Sequence, residues 1–264
     1  MKALVTGGCS FSMDTNKLHT WNHYLAKDYN KSYHTGIDAS GNDFIIRRVI
    51  NEINKIKSEV DEIDCVVLWS GISRKMYVTK DNEYLNPGIL RTQALHNFEE
   101  FKRLNPNWED LIADTEETID TAHVTIDTNP IEEDEYGYTW FVPAEGLHLS
   151  KIQEFYKKFS NLVNDWEQTT FYIYILQEFC KANGINLYWG HYTNVYDSIE
   201  PPEHLKWAYN NIDFSKCFSN NSMKQWVYEK MGSRGFTSDN IHPNEKGHEE
   251  FCKSVIQPFI TNSK

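Results

Sequence analysis

Short apolar runs and helical repeats alternate along the chain. Three apolar runs predict buried β-strands: Ala3–Thr6, Asp64–Trp69 and Ile185–Trp189. Apolar residues at helical spacing predict three helices: residues 42–60, 150–183 and 245–259. Gly184, which follows Asn183, is a typical helix stop. Strands that alternate with helices in this way favour an α/β fold with a parallel sheet.

The stretch from Lys80 to Leu147 breaks this rhythm. It is polar, rich in Asp, Glu and Thr, and contains the acidic run Glu132–Glu135. An acidic run is typical of a solvated surface, and an insertion after a core strand can form a lid or a substrate-selecting loop. We therefore predict a single domain over residues 1–264, with residues 80–147 as an insertion after the third strand.

Charge and composition narrow the classes of partner. The chain has 26 Lys and Arg against 38 Asp and Glu, a net charge of −12, and no basic stripe. This balance disfavours nucleic acid and anionic membranes as partners. No apolar stretch approaches the length of a membrane span, and the first apolar run is too short for a signal peptide. We expect a cytoplasmic protein and leave its oligomeric state open.

The cysteines and histidines do not form a recognisable ligand set. The five cysteines are odd in number, widely spaced and without a Cys-x-x-Cys pair, which favours buried free thiols over disulfides or a zinc site. His19 and His23 have the spacing of a zinc-binding helix but lack the Glu of His-Glu-x-x-His. Asp239, His242 and His248 could together supply zinc ligands, a minor alternative. We predict no metal and no cofactor.

Two segments near opposite ends of the chain carry candidate catalytic chemistry. Gly7–Ser12 follows the first strand, where backbone N–H groups at a helix start could stabilise the oxyanion of acyl transfer. Ser10 or Ser12 could instead cap the next helix. Asp239 lies three residues before His242 and could orient its ring through Nδ1, leaving Nε2 to take a proton from a serine. A capping Asp beside a solvent-facing His is the alternative.

Taken together, the two segments resemble the SGNH (GDSL-type) hydrolases. That family has its nucleophile in a Gly-Asp-Ser-Leu-like block after the first strand, and an Asp-x-x-His block before the last helix. Gly8–Phe11 matches the first block with Cys9 in place of Asp, and Asp239–His242 matches the last with the same spacing. The resemblance implies a three-layer α/β/α fold with a central parallel sheet, of the flavodoxin-like kind.

By that resemblance, Ser10 is the nucleophile, His242 the general base and Asp239 its orienting partner. The resemblance also implies an oxyanion hole formed by Ser10, by a glycine after the second strand and by an Asn after the third. Gly41 lies in the matching loop and is the expected donor. Ser73 stands where the Asn is expected, which is the clearest departure, because a hydroxyl has a shorter reach; helix capping is its alternative role.

Four further residues are candidates for substrate binding. Asn42 or Arg74 could replace the missing amide donor. Trp69 and Trp189 lie at the ends of predicted strands and could form aromatic platforms for a sugar ring, with burial in the core as the commoner alternative.

The resemblance implies a serine esterase that cleaves carboxylic esters of small molecules or glycans, O-acetyl groups included, through an acyl-enzyme. The alternative is a catalytically weak or inactive member of the same fold that binds glycans or proteins and keeps Ser10 and His242 for packing. A serine-directed fluorophosphonate probe separates the two, since it needs an activated nucleophile.

Overall fold

The computed structural model of the chain describes residues 1–15, 18–37, 40–72, 162–193, 199, 201–218, 222–238 and 242–263, and the backbone of two short strands. The insertion expected at 80–147 lies outside the described residues, apart from one of these short strands. The first part of the helix expected at 150–183 also lies outside them.

Four parallel strands form the central sheet, in the spatial order β2-β1-β3-β6. Their bounds are Lys2–Gly7 (β1), Lys31–His34 (β2), Glu62–Trp69 (β3) and Asn186–His191 (β6). Tyr77–Val78 (β4) and Tyr84–Leu85 (β5) form a separate antiparallel pair. In the central register, Val5 pairs with Tyr33 and Cys65, and Cys65 pairs with Leu187. The three predicted strands are therefore confirmed as β1, β3 and β6.

Helices precede and follow these strands. Their bounds are Trp21–Leu25 (α1), Asn42–Ile56 (α2), Leu162–Ala182 (α3), Trp207–Asn210 (α4), Met223–Met231 (α5), Glu245–Phe251 (α6) and Gln257–Asn262 (α7). A π-helical turn, Cys252–Ile256, joins α6 to α7. The predicted helix stop is confirmed, because Gly184 has a φ of +66° and Ile185 N–H donates to Cys180 O across the end of α3.

The sheet separates two apolar cores because alternate side chains of a strand face opposite sides. On one face, Val5 and Val67 pack with α2 and α3. On the other face, Leu4, Val66 and Leu68 pack with α1, α5 and α6. The result is a three-layer α/β/α fold with a parallel sheet, as expected. None of the five cysteines forms a disulfide, and all except the half-buried Cys217 are buried.

The strand order reverses between β1 and β3. From β1 the chain moves to β2 on one side, then returns to form β3 on the other side. In open parallel sheets, ligands bind outside the carboxyl ends of strands at such a reversal. The segments after β1 and β3 therefore lie where a site is expected. Within the described parts of the chain, no helix is both long and apolar enough to cross a membrane.

Candidate active site

A serine and a histidine from opposite ends of the chain meet just beyond the carboxyl end of β1. Ser10 Oγ lies 3.0 Å from His242 Nε2, although the residues are 232 positions apart in sequence. Both side chains are half-buried. The distance is that of a hydrogen bond, so the imidazole can take the hydroxyl proton directly.

Ser10 is held in a short 3₁₀ turn that follows β1. The turn spans Ser10–Ser12, with Cys9 as its N-cap and no capping bond from a side chain. Ser12 N–H donates to Cys9 O at 2.8 Å and closes the turn. Ser10 is therefore not the cap of this turn. The next residue, Phe11, is buried and stacks on Tyr192 at 4.4 Å, with the His242 ring 5.0 Å away.

Ser12, the other serine of this turn, has a structural role. It is fully buried, its Oγ accepts a hydrogen bond from Trp21 Nε1 at 3.0 Å, and its carbonyl accepts one from Asn22 Nδ2 at 3.0 Å. Two glycines allow this packing. A Cβ on Gly8 would lie 3.0 Å from Leu68 O and overlap Ser12 Oγ, and a Cβ on Gly36 would overlap the Ser12 carbonyl. Sequence reasoning missed Gly36, since no local pattern marks its contact with Ser12.

His242 is placed by a hydrogen-bonded loop before α6. Thr237 N–H donates to His242 O at 2.8 Å, and Asn244 N–H donates to Gly235 O at 2.9 Å. Asn244 Oδ1 also caps α6 by accepting from Gly247 N–H at 3.0 Å. Asp239 lies in sequence between the hydrogen-bonded residues Thr237 and His242, and it is outside the described residues. Its orienting role therefore stays a prediction.

Two backbone donors of the expected oxyanion hole are available. Gly41 is the N-cap of α2, with extended backbone angles. Among the described residues, neither the N–H of Ser10 nor that of Gly41 makes a hydrogen bond. The third expected donor, Ser73, and the substitute donor Arg74 lie outside the described residues.

Asn42 fastens α2 to the end of β3. Its Oδ1 accepts from Ser70 N–H at 2.8 Å, and its Nδ2 donates to Ser70 O at 3.2 Å and to Thr169 Oγ1 at 3.1 Å. Both amide hydrogens are thus used inside the protein. The hypothesis that Asn42 donates to a substrate is wrong in this structure; its contacts instead position the neighbouring Gly41.

The two candidate aromatic platforms lie in the core. Trp69 and Trp189 have relative exposures of 0% and 1% and pack between the sheet and the α2–α3 layer. Neither ring has a face that a sugar could reach. The interpretation of these residues as substrate contacts is wrong, and the alternative of core packing holds.

Two other histidines are neutral near the site. His248, on α6, is buried as expected for a residue packed on the last helix, and burial and the charge of His242 lower its pKa to about 3. Burial also lowers the pKa of His191, at the end of β6, to about 3. Neither side chain therefore carries a positive charge near neutral pH.

Comparison of the chain with protein-family models, with curated proteins and with solved structures gave no match. The chemistry of this site is therefore inferred from the geometry of the chain itself. A hydroxyl in contact with an imidazole has the geometry that nucleophilic acyl transfer requires of a nucleophile and its base.

Proposed function

We propose that the protein is a serine esterase of the SGNH type, which hydrolyses carboxylic esters of small molecules or glycans. The observation that carries this proposal is the 3.0 Å contact between Ser10 Oγ and His242 Nε2. A hydroxyl that served packing alone would more commonly bond to the backbone or to water. The position of the pair at the carboxyl edge of the sheet adds support.

In the first step, Ser10 Oγ attacks the ester carbonyl carbon while His242 Nε2 takes the hydroxyl proton. The N–H groups of Ser10 and Gly41 stabilise the negative charge that develops on the carbonyl oxygen. When the tetrahedral intermediate collapses, Nε2 returns the proton to the leaving alcohol, and the acyl group stays on Ser10.

In the second step, a water molecule attacks the acyl-enzyme. His242 Nε2 takes a proton from this water, and the hydroxide adds to the acyl carbon. Collapse of the second intermediate gives the free acid and returns the proton to Ser10 Oγ. Asp239 is the proposed partner of His242 Nδ1 and would stabilise the imidazolium in both steps.

The structure and the charge of the chain narrow the substrate class. With Trp69 and Trp189 in the core, neither of these two rings can serve as a platform for a sugar. A net charge of −12 disfavours strongly anionic esters. Neutral esters of short acyl groups are the first substrates to test.

Fluorophosphonate labelling is the direct test. We expect the wild-type protein to be labelled at Ser10, as located by peptide mass spectrometry, and to hydrolyse p-nitrophenyl acetate. Ser10→Ala should abolish both and His242→Ala should slow both at least about 10²-fold, because proton transfer by a positioned base is lost. Ser254→Ala, which removes an exposed serine far along the chain, is the control and should behave as wild type.

Labelling that persists in Ser10→Ala would eliminate this nucleophile. A wild-type protein that is folded, yet neither labelled nor active on an ester panel from acetyl to long acyl chains, would favour the alternative of a non-catalytic binding module.

A further inference from the structure

A second cluster of polar side chains follows the Ser10–Ser12 turn along the chain. Thr15 and Leu18 form an antiparallel bridge, with Thr15 N–H donating to Leu18 O at 3.0 Å. This pairing brings the flanking residues Asp14 and His19 opposite each other, and α1 adds His23. One carboxylate oxygen and one nitrogen of each ring all lie within 4.8 Å of one another.

The carboxylate of this cluster is already oriented. Thr20 donates twice to Asp14 Oδ1, from its N–H at 2.6 Å and from its Oγ1 at 2.9 Å. These bonds fix the carboxylate and leave Oδ2 for another ligand. Among the described residues, neither the His19 ring nor the His23 ring makes a hydrogen bond, so the ring nitrogens are also available.

The two imidazole rings contact each other face to face. Their centroids are 3.8 Å apart, with an interplanar angle of 14°. His19 is exposed, while Asp14 and His23 are half-buried, so an ion from solvent can reach the cluster. Neutral imidazole is the form that binds metal.

We propose that Asp14, His19 and His23 bind a divalent transition-metal ion, with Zn²⁺ favoured by the donor set. Two imidazoles and one carboxylate, with water at an open position, are a common zinc environment. Mg²⁺ and Ca²⁺ prefer oxygen ligands throughout. Ligands about 2 Å from a tetrahedral ion lie about 3.3 Å apart, so binding requires the three side chains to close inward. The exposed His19, outside any helix, can make this movement.

The site adjoins the nucleophile turn without including the Ser10–His242 pair. Asn22 donates to Ser12 O, so α1 is attached to the turn that carries Ser10. An ion bound at the cluster would tie the Thr15–Leu18 hairpin to α1. Its expected effect is therefore greater stability of this segment, independent of whether the protein hydrolyses esters.

Calorimetric titration with Zn²⁺, on the full chain without a histidine tag, tests the proposal. We expect one ion per chain and a rise in Tm, with no binding of Mg²⁺. His19→Ala, His23→Ala and Asp14→Asn should each weaken binding by at least about tenfold. Asp14→Asn keeps an oxygen for the Thr20 bonds, and His19 is exposed, so these variants should fold. His204→Ala, which removes an exposed histidine outside the cluster, is the matched control.

A Co²⁺ absorption spectrum gives a second measurement, because it distinguishes nitrogen and oxygen ligands from thiolates such as the half-buried Cys217. We expect no thiolate-to-cobalt band. The proposal is overturned if binding is not saturable, if His19→Ala and His23→Ala bind Zn²⁺ as tightly as wild type, or if a thiolate band appears.

Discussion

Mild acid should destabilise the fold through His248. This imidazole on α6 is 1% exposed, and neither ring nitrogen has a hydrogen-bond partner among the described residues. Burial, with a smaller effect of the charge of His242, lowers its pKa from 6.5 to about 3. The unfolded chain takes up this proton below about pH 6.5, whereas the folded chain does so only near pH 3. Stability is therefore lost as the pH falls through this window.

The expected size follows from the two pKa values. A single group of this kind costs about 1.4 kcal/mol for each pH unit below its unfolded pKa, or about 2 kcal/mol between pH 7 and pH 5. His191, whose pKa burial also lowers to about 3, adds a similar loss. Asp64 does not contribute in this range. Burial alone would raise its pKa, but hydrogen bonds from Lys2, Tyr29 and Asn186 outweigh burial and hold the pKa below its ordinary value.

Urea unfolding followed by tryptophan fluorescence at pH 7, 6 and 5 measures this loss. We expect the wild-type protein to lose about 4 kcal/mol between pH 7 and pH 5, and His248→Leu to lose only about half as much. At pH 7 the variant should be nearly as stable, because an unpartnered polar group is replaced by an apolar one of similar size. His204→Leu, at an exposed position, is the control. An identical pH dependence in wild type and His248→Leu would refute the argument.

Two further substitutions test how the active site is held. Asn42→Ala removes the acceptor of Ser70 N–H and both amide donors, so the free energy of unfolding in urea should fall by about 2–4 kcal/mol. Fluorophosphonate labelling should also be slower, because Gly41 is no longer held in position. Unchanged labelling would contradict the positioning role. Gly36→Ala places a Cβ against the Ser12 carbonyl, so it should displace the Ser10–Ser12 turn and slow labelling. The same overlap should lower the free energy of unfolding by about 1–3 kcal/mol. Labelling at the wild-type rate would show that the turn adapts to the added methyl group.

The sequence predicted the three buried strands and missed the exposed strand β2, for a physical reason. β1, β3 and β6 are covered on both faces or nearly so, and therefore appear as continuous apolar runs. β2, with the sequence Lys31–His34, lies at the edge of the sheet and is mostly exposed, so its composition is polar. What makes it a strand is its pairing with β1, a tertiary contact that no local pattern encodes.

The site shows the same division between residue type and contact. A motif at each end of the chain was enough to predict that Ser10 and His242 meet. Residue type could not show that Asn42 donates both amide hydrogens to groups within the protein, or that Trp69 is buried in the core. It also could not show that Asp14 lies beside His19 and His23. The pairing of Thr15 with Leu18 brings Asp14 to them, and no helical spacing in the sequence indicates this contact.

The two serines of the Ser10–Ser12 turn differ in their contacts, so one short segment could combine an anchor with the proposed nucleophile. Ser12 Oγ is occupied by Trp21 Nε1 and sealed from solvent, so its hydroxyl fixes the turn and is not placed to attack a substrate. Ser10 lies two residues earlier on the same turn, is half-buried, and has an imidazole at its oxygen. Because the turn already holds Ser10 in one orientation, the proposed reaction would not have to lose that conformational entropy in its chemical step. Under the proposed function, loss of Ser12 should act through the stability and shape of the turn, whereas loss of Ser10 would remove the attacking atom itself.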